Sequence, residues 1–254
     1  MEKPRLTVAI IACNEEDRIP SVLDAVSSLA SEIVVVDSGS TDRTVELCRQ
    51  RGVKVFHHEW EGFTRQKNLL LQYCTGDWIL YLDADEVITE ELRLEISESI
   101  SQSNLSGFYI NRKTFYLGRT LNHAWQPNYR LRLVRKDSHP LWIGGMVHER
   151  LTIEGKTGHL QQALIHYSYR NISDHMMRTV KYAELSAADY ASRGKRSSIL
   201  KLIYKPFFAF LRAFFLKKGL LDGFPGFIAS CSSSFYVFLK YANLYAMERQ
   251  KEDE

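Results

Sequence analysis

The feature that most constrains this chain is the alternation of two hydrophobic periods across its first hundred residues. Residues 6–12, 33–36, 53–56 and 78–82 are short, continuous apolar runs bounded by polar residues, the pattern of strands covered on both faces of a parallel sheet. Between them, Ile19, Val22, Leu23, Val26 and Leu29 recur at three- and four-residue spacing after Asn14. Val45, Leu47 and Cys48 follow the capping residues Ser40-Thr41-Asp42, and residues 63–73 form a third amphipathic stretch. This β-α-β-α-β-α-β order predicts right-handed crossovers and an open, doubly wound α/β sheet, whose ligands bind beyond the carboxyl ends of the strands. The polar residues that end each strand are the ones expected to carry chemistry.

Further along, a charged helix is expected over 90–103. Residues 107–116, 129–134 and 160–167 are β-rich and separated by loops carrying Trp125, Pro127, Pro140 and Trp142, which suits antiparallel edge strands with long binding loops. From Asn171 the pattern is helical almost to the end. The expected division is a catalytic α/β domain over 1–170 and a helical extension over 171–254. With 45% hydrophobic and 25% charged residues, the chain has the composition of a folded globular protein, and disordered or low-complexity classes are excluded. Cys13, Cys48, Cys74 and Cys231 are scattered singly, which reads as small packing residues in a reducing compartment. The first apolar run is short and quickly interrupted by Asn14-Glu15-Glu16-Asp17. That is not a signal peptide, so residence on the cytoplasmic side is the expectation.

The fourth strand ends in Asp83-Ala84-Asp85-Glu86. Two carboxylates two residues apart at a strand terminus project to one side, where they can share a divalent cation, although exposed acidic turns are common. The second strand ends in Asp37, followed by Ser38-Gly39-Ser40-Thr41-Asp42. An Asx turn and helix cap explain part of that segment. Asp37 could in addition accept the imide N–H of a nucleobase.

Cys13-Asn14-Glu15-Glu16, Ile33-Val34-Val35-Val36-Asp37-Ser38-Gly39-Ser40-Thr41-Asp42, Gln66-Lys67-Asn68 and Gly76-Asp77-Trp78-Ile79-Leu80-Tyr81-Leu82-Asp83-Ala84-Asp85-Glu86 together resemble the family 2 glycosyltransferases of the GT-A fold. The resemblance covers roughly residues 5–90. It implies a Rossmann-like, doubly wound mixed sheet, a sugar-nucleotide donor, Mg²⁺ or Mn²⁺ as cofactor, and inversion at the anomeric carbon. Carried over by position, it places Asn14, Glu15, Asp37, Lys67 and Asp83 on the nucleotide sugar and Asp85 on the metal. Pyrophosphate departure builds negative charge that a divalent ion stabilises.

Inversion requires a base on the acceptor side. The candidate is Glu149, in Trp142-Ile143-Gly144-Gly145-Met146-Val147-His148-Glu149, where glycines precede a His-Glu pair and Trp142 could stack on a sugar. A surface Glu149 paired with Arg150 or Arg135 is the alternative. His148 and His166 are further candidates, with His166 the first choice for a nitrogen ligand to the metal; a structural hydrogen-bonding role competes. Arg130 and Arg132 alternate with Leu131 and Leu133, putting both guanidinium groups on one face. They could bind phosphate or an acidic acceptor, or form a solvated edge.

The net charge of +3 conceals segregation, because Lys195, Arg196, Lys201, Lys205, Arg212, Lys217 and Lys218 fall within 194–221 without one acid. Residues 199–216 add Phe207, Phe208, Phe210, Phe214 and Phe215, with Pro206 and three cations interrupting. This argues against a transmembrane span and for a basic amphipathic segment on an anionic membrane surface, with helix packing as the alternative. Nucleic acid is not the expected partner, since adjacent phenylalanines are not the spaced aromatics of a stacking platform. The tail, with Val147-His148-Glu149 and His166-Tyr167, also resembles the lipopolysaccharide-core glucosyltransferase branch of family 2. That branch implies glucose transfer from UDP-glucose, in β-1,4 linkage, to the first heptose of the inner core at the cytoplasmic membrane face; another UDP-sugar and another lipid-linked or polysaccharide acceptor remain open. Nucleotidyl transfer would favour a basic, Gly-rich loop where this chain has Glu15-Glu16-Asp17. A non-enzymatic adaptor would not need Asp37, Asp83, Asp85 and Glu149 together.

Overall fold

Each apolar run becomes a strand and each amphipathic run a helix. The computed structural model describes residues 4–144 and 149–252. In chain order these are β1 (Leu6–Ala12), α1 (Ile19–Val26), β2 (Glu32–Asp37), α2 (Thr44–Gln50), β3 (Lys54–His57), α3 (Phe63–Tyr73), β4 (Trp78–Asp83), β5 (Glu86–Ile88) and α4 (Glu90–Gln102). There follow β6 (Gly107–Tyr116), β7 (Arg119–Thr120), β8 (Tyr129–Arg135), β9 (Leu141–Ile143), β10 (Arg150–Thr152), β11 (Thr157–His166), α5 (Ile172–Ser192), α6 (Ile199–Leu211) and α7 (Gly223–Glu252). The chain divides into two compact units, one of residues 1–113 and 128–166, the other of residues 114–127 and 167–254.

In the first unit the strand order is β3-β2-β1-β4-β8-β6-β11-β5. β1 runs parallel to β2 and β4, and β2 to β3, as the crossovers require. The downstream segments depart from the edge positions expected of them. β8 pairs antiparallel with β4 on one side and with β6 on the other, so both are interior strands. Their burial explains this, since Leu131 through Val134 are all buried and need cover on each side. The outermost places go to β3 and to β5, a short strand formed directly after the acidic turn and paired with β11.

Two apolar layers sandwich this sheet. One gathers Val8, Ile10, Val22, Leu23, Leu80, Leu92, Ile96, Ile110 and Leu133, and the other Ala9, Val34, Val36, Leu70, Ile79, Tyr81, Leu131 and Trp142. Along β1, β2 and β4 consecutive residues therefore serve opposite layers, whereas on β8 a register shift puts Leu131 and Leu133, two apart, in different layers. Cys48 and Cys74 are buried, as packing residues should be, but Cys13 and Cys231 are exposed; all four are free thiols.

The second unit is built around α5, α6 and α7. His175 on α5 lies between the Tyr116 hydroxyl, 2.6 Å from Nδ1, and the Ser232 hydroxyl, 2.8 Å from Nε2, with Tyr169 stacked at 4.2 Å. Burial holds the imidazole neutral by lowering its pKa to about 4. Asp222, 1% exposed, accepts hydrogen bonds from the backbone N–H groups of Asn122, His123 and Ala124 at 2.7–2.9 Å. It ties the loop after β7 to the start of α7. The helix enters through a tight approach, where a Cβ at Gly226 would stand 2.0 Å from the Gly219 carbonyl oxygen. Ser198 caps α6 by accepting from the Lys201 N–H, and Pro206 interrupts it before a π-helical turn over Arg212–Leu216.

Candidate functional site

The carboxyl ends of β1, β2 and β4 lie side by side, as their register requires: Ala12 is opposite Asp37, and Ile11 opposite Asp83. At the end of β2, Asp37 is 3% exposed. Its Oδ2 accepts from the N–H groups of Gly39 and Ser40 at 3.0 Å, and its Oδ1 accepts from the Ser40 hydroxyl at 2.5 Å. The turn and cap reading of this segment is thus realised, and a ligand would find only the remaining lone pair on Oδ1. Asn14, in the left-handed region at φ 56°, locks this loop to β1 by accepting from the Thr41 N–H at 2.8 Å while its own N–H donates to Ser40 Oγ. Glu15 contributes its N–H to Thr44 Oγ1, leaving its carboxylate 3.7 Å from Arg18.

The acidic turn after β4 divides its carboxylates between two environments. Asp83 Oδ2 accepts from Arg132 at 2.6 Å and lies 3.4 Å from Arg112, and its Oδ1 is 3.4 Å from the Lys67 ammonium. Glu86, fully buried, accepts from Arg112 at 2.9 Å and Arg132 at 2.6 Å through Oε1, and from the Asp83 N–H through Oε2. Burial opposes ionisation of Asp83, but the Arg132, Lys67 and Arg112 cations hold its carboxyl well below the usual carboxylate range. Arg132 reaches this position because β8 carries a register shift opposite Phe108 and Tyr109, which leaves Arg132 between the paired Leu131 and Leu133.

Asp85 faces away from that cage. Its Oδ1 is 3.4 Å from His166 Nε2, at the end of β11, and its Oδ2 is 3.5 Å from Arg18. Among the described residues no three His, Cys, Asp or Glu side chains gather at metal-holding spacing. A carboxylate oxygen facing an imidazole nitrogen nevertheless fits a hard divalent ion of the kind that takes its other ligands from substrate phosphates and water.

Helix α3 connects the acidic turn to Glu149. Gln66 donates to Ser38 Oγ and to the carbonyl oxygens of His58 and Glu59, and Asn68 exchanges two hydrogen bonds with the Trp142 backbone. These flanking amides fix Lys67, 5% exposed, between two carboxylates: 3.4 Å from Asp83 Oδ1 and 3.3 Å from Glu149 Oε1. The Trp142 ring lies beneath the ammonium at 4.4 Å. Trp142 is 5% exposed and edge-on to Tyr81, so it is a platform for Lys67 rather than a face for a sugar. Glu149 faces Lys67 instead of pairing with Arg150 or Arg135; Gly144 is described, at φ 123°, whereas Gly145 and His148 lie outside the described residues.

Asp83, Lys67 and Glu149 thus form one connected group, Asp85 and His166 an adjacent pair, and Asp37, Asn14 and Glu15 the loop beside them. Sequence reasoning missed Glu86, Arg112 and Arg18, which complete the charge balance. The alternation of Arg130 and Arg132 with Leu131 and Leu133 pointed to Arg132, but only the paired register identifies its partners.

Known proteins bear on this arrangement. The profile described as "Glycosyl transferase family 2" matches residues 7–148. An uncharacterised glycosyltransferase of Rickettsia typhi is 31% identical, with 94% of this chain and 86% of that protein aligned. A lipopolysaccharide core biosynthesis glycosyltransferase, LpsC of Rhizobium meliloti, is 30% identical over 94% of this chain and 92% of its own length. In fold the chain is similar to a crystal structure of glucosyl-3-phosphoglycerate synthase from Mycobacterium tuberculosis, at a TM-score of 0.50 and 17% identity, with 77% of this chain and 82% of that one covered. With the strand order above, these likenesses establish that the chain has a GT-A-like fold and is a glycosyltransferase belonging to family 2.

Proposed function

We propose that this enzyme is an inverting, metal-dependent transferase that moves a hexose, glucose from UDP-glucose, to a heptose of the lipopolysaccharide inner core. The observation that carries this reading is the single ammonium of Lys67 held between Asp83 and Glu149, which joins a donor-side carboxylate to an acceptor-side one. Asp83 and Lys67 orient the ribose and diphosphate, the open lone pair of Asp37 accepts the uracil imide N–H, and Asn14 and Glu15 keep that loop in register. Glu149 takes the proton of the attacking hydroxyl. Asp85 and His166 are the residues to hold Mg²⁺ or Mn²⁺, which when bound supplies charge stabilisation for the departing diphosphate. A lipopolysaccharide acceptor is supported by the likeness to LpsC along nearly the whole chain.

Equilibrium titration with UDP, with and without Mn²⁺, tests the donor side. The unsubstituted protein binds UDP more tightly with the ion present, and Asp85→Ala abolishes the difference while retaining metal-free binding. An undiminished Mn²⁺ effect in Asp85→Ala removes that residue from the metal site.

A lipid-linked acceptor also asks for a membrane contact. Among the described residues no helix is long and apolar enough to cross a membrane. Ile199, Leu200, Ile203, Phe207, Phe208, Phe215 and Leu216 are nonetheless 53–79% exposed, and Lys201, Lys205, Arg212, Lys217 and Lys218 are interspersed among them. Such a face supports peripheral docking in the interface of an anionic leaflet on the cytoplasmic side. In liposome flotation the protein rises with vesicles containing phosphatidylglycerol and is released by about 0.5 M salt; equal behaviour on neutral vesicles excludes the electrostatic part.

A further inference from the structure

Strand β8 carries two arginines two residues apart, and the structure gives them opposite fates. Arg132 is 3% exposed and spent on Asp83 and Glu86. Arg130 is exposed and donates a 3.5 Å hydrogen bond to the neighbouring Tyr129 carbonyl oxygen. Among the described residues no carboxylate comes within ion-pair distance of it. Its position is nonetheless not that of an ordinary solvated cation. Arg130 pairs across the sheet with Ile110, which puts it on the same face as Arg112, its diagonal neighbour on β6. Three guanidinium groups therefore crowd one patch at the edge of the catalytic group. Only two of them have carboxylates to neutralise them. Partial burial and the Arg112 and Arg132 charges pull the Arg130 pKa down, while the Glu149 and Glu86 carboxylates act in the opposite direction, so the guanidinium stands within electrostatic reach of Glu149 without pairing with it.

We infer that Arg130 is an acceptor-specificity residue, which binds a phosphate or carboxylate that the acceptor carries near its attacking hydroxyl. A guanidinium that is unpaired, exposed and already surrounded by like charge gains most from an added anion, and it offers a two-pronged donor set for one. Placed beside the base, it selects acidic saccharides over neutral ones and orients the hydroxyl toward Glu149. The inference rests on the transferase reading above, because it gives Glu149 its side of the site.

The test is a cycle of enzyme and acceptor changes with UDP-glucose as donor. The acceptor is heptose-terminated lipopolysaccharide in native form, after phosphate removal with hydrogen fluoride, and after carboxyl reduction. With the native acceptor, Arg130→Gln raises KM about 10- to 100-fold, the range for a lost hydrogen bond to a charged group, with a much smaller change in kcat; Arg130→Lys recovers part of the loss. The acceptor stripped of the recognised anion shows the same raised KM with the unsubstituted enzyme, and Arg130→Gln adds nothing to it. Which of the two treatments produces that result identifies the anion as phosphate or carboxylate. An equal Arg130→Gln penalty on all three acceptors, or none on the native one, overturns the inference while leaving the transferase reading intact. Absence of transfer by the unsubstituted enzyme to every acceptor form overturns the transferase reading first and the inference with it.

Discussion

Glu149→Gln lowers the rate of hexose transfer by about 10²- to 10⁴-fold, with UDP affinity changed by no more than a few fold. The substitution preserves the size of the side chain and an oxygen for the Lys67 ammonium, which stands 3.3 Å from Oε1. It removes the one property a general base needs. A carboxylate that served only to hold Lys67 would behave differently, because loosening Lys67 also loosens Asp83, 3.4 Å away on its other side, and nucleotide affinity would fall in step with rate. Steady-state kinetics on purified enzyme, paired with UDP titration, separates the two cases. A rate loss below tenfold sends the search for the base elsewhere.

Arg132→Met destabilises the protein by about 3–5 kcal/mol, the range for removing one partner of a buried ion pair. Arg132 is 3% exposed and is the shared donor to Asp83 and Glu86, the second of them fully buried. Its loss leaves Glu86 with Arg112 at 2.9 Å, and Asp83 with only the more distant Arg112 and Lys67 cations, each at 3.4 Å. A penalty of this size is a large fraction of the total stability of a typical domain, and urea unfolding reads it as a lower midpoint with an unchanged slope. On the same strand, Arg130→Met changes stability by less than about 0.5 kcal/mol. Equal effects at the two positions contradict the division of labour along β8.

Much of the first unit was readable because its determinants are local. Runs of apolar residues and their period specify β1 to β4 and α1 to α3, and the ends of those strands delivered Asn14, Asp37, Asp83 and Asp85 to one edge. What was not readable depends on residues far apart in sequence. Glu86 looks like the tail of an exposed acidic turn until Arg112 and Arg132, 26 and 46 residues away, are placed around it. The β-rich composition and long loops of the antiparallel segments suit edge strands, and the alternation of Arg130 and Arg132 with Leu131 and Leu133 suits a solvated face; Arg132 is instead buried against Asp83 and Glu86. Trp142 was expected to meet a sugar on composition alone, whereas the double hydrogen bond between its backbone and Asn68 draws the ring under Lys67. In the helical unit the acid-free run was evident, but the role of Asp222 was not, since its partners Asn122, His123 and Ala124 lie about a hundred residues earlier.

The central claim is that the group formed by Asp83, Lys67 and Glu149 transfers a hexose from a uridine diphosphate donor. The direct measurement is a transfer assay with UDP-glucose, UDP-galactose, UDP-N-acetylglucosamine and GDP-mannose, each with Mn²⁺ and heptose-terminated lipopolysaccharide, followed by NMR of the product linkage. The account predicts transfer from UDP-glucose with a β-configured product, inverted from the α-linked donor. Failure of every UDP-sugar to bind or turn over, or a product that retains the donor's α configuration, would contradict it.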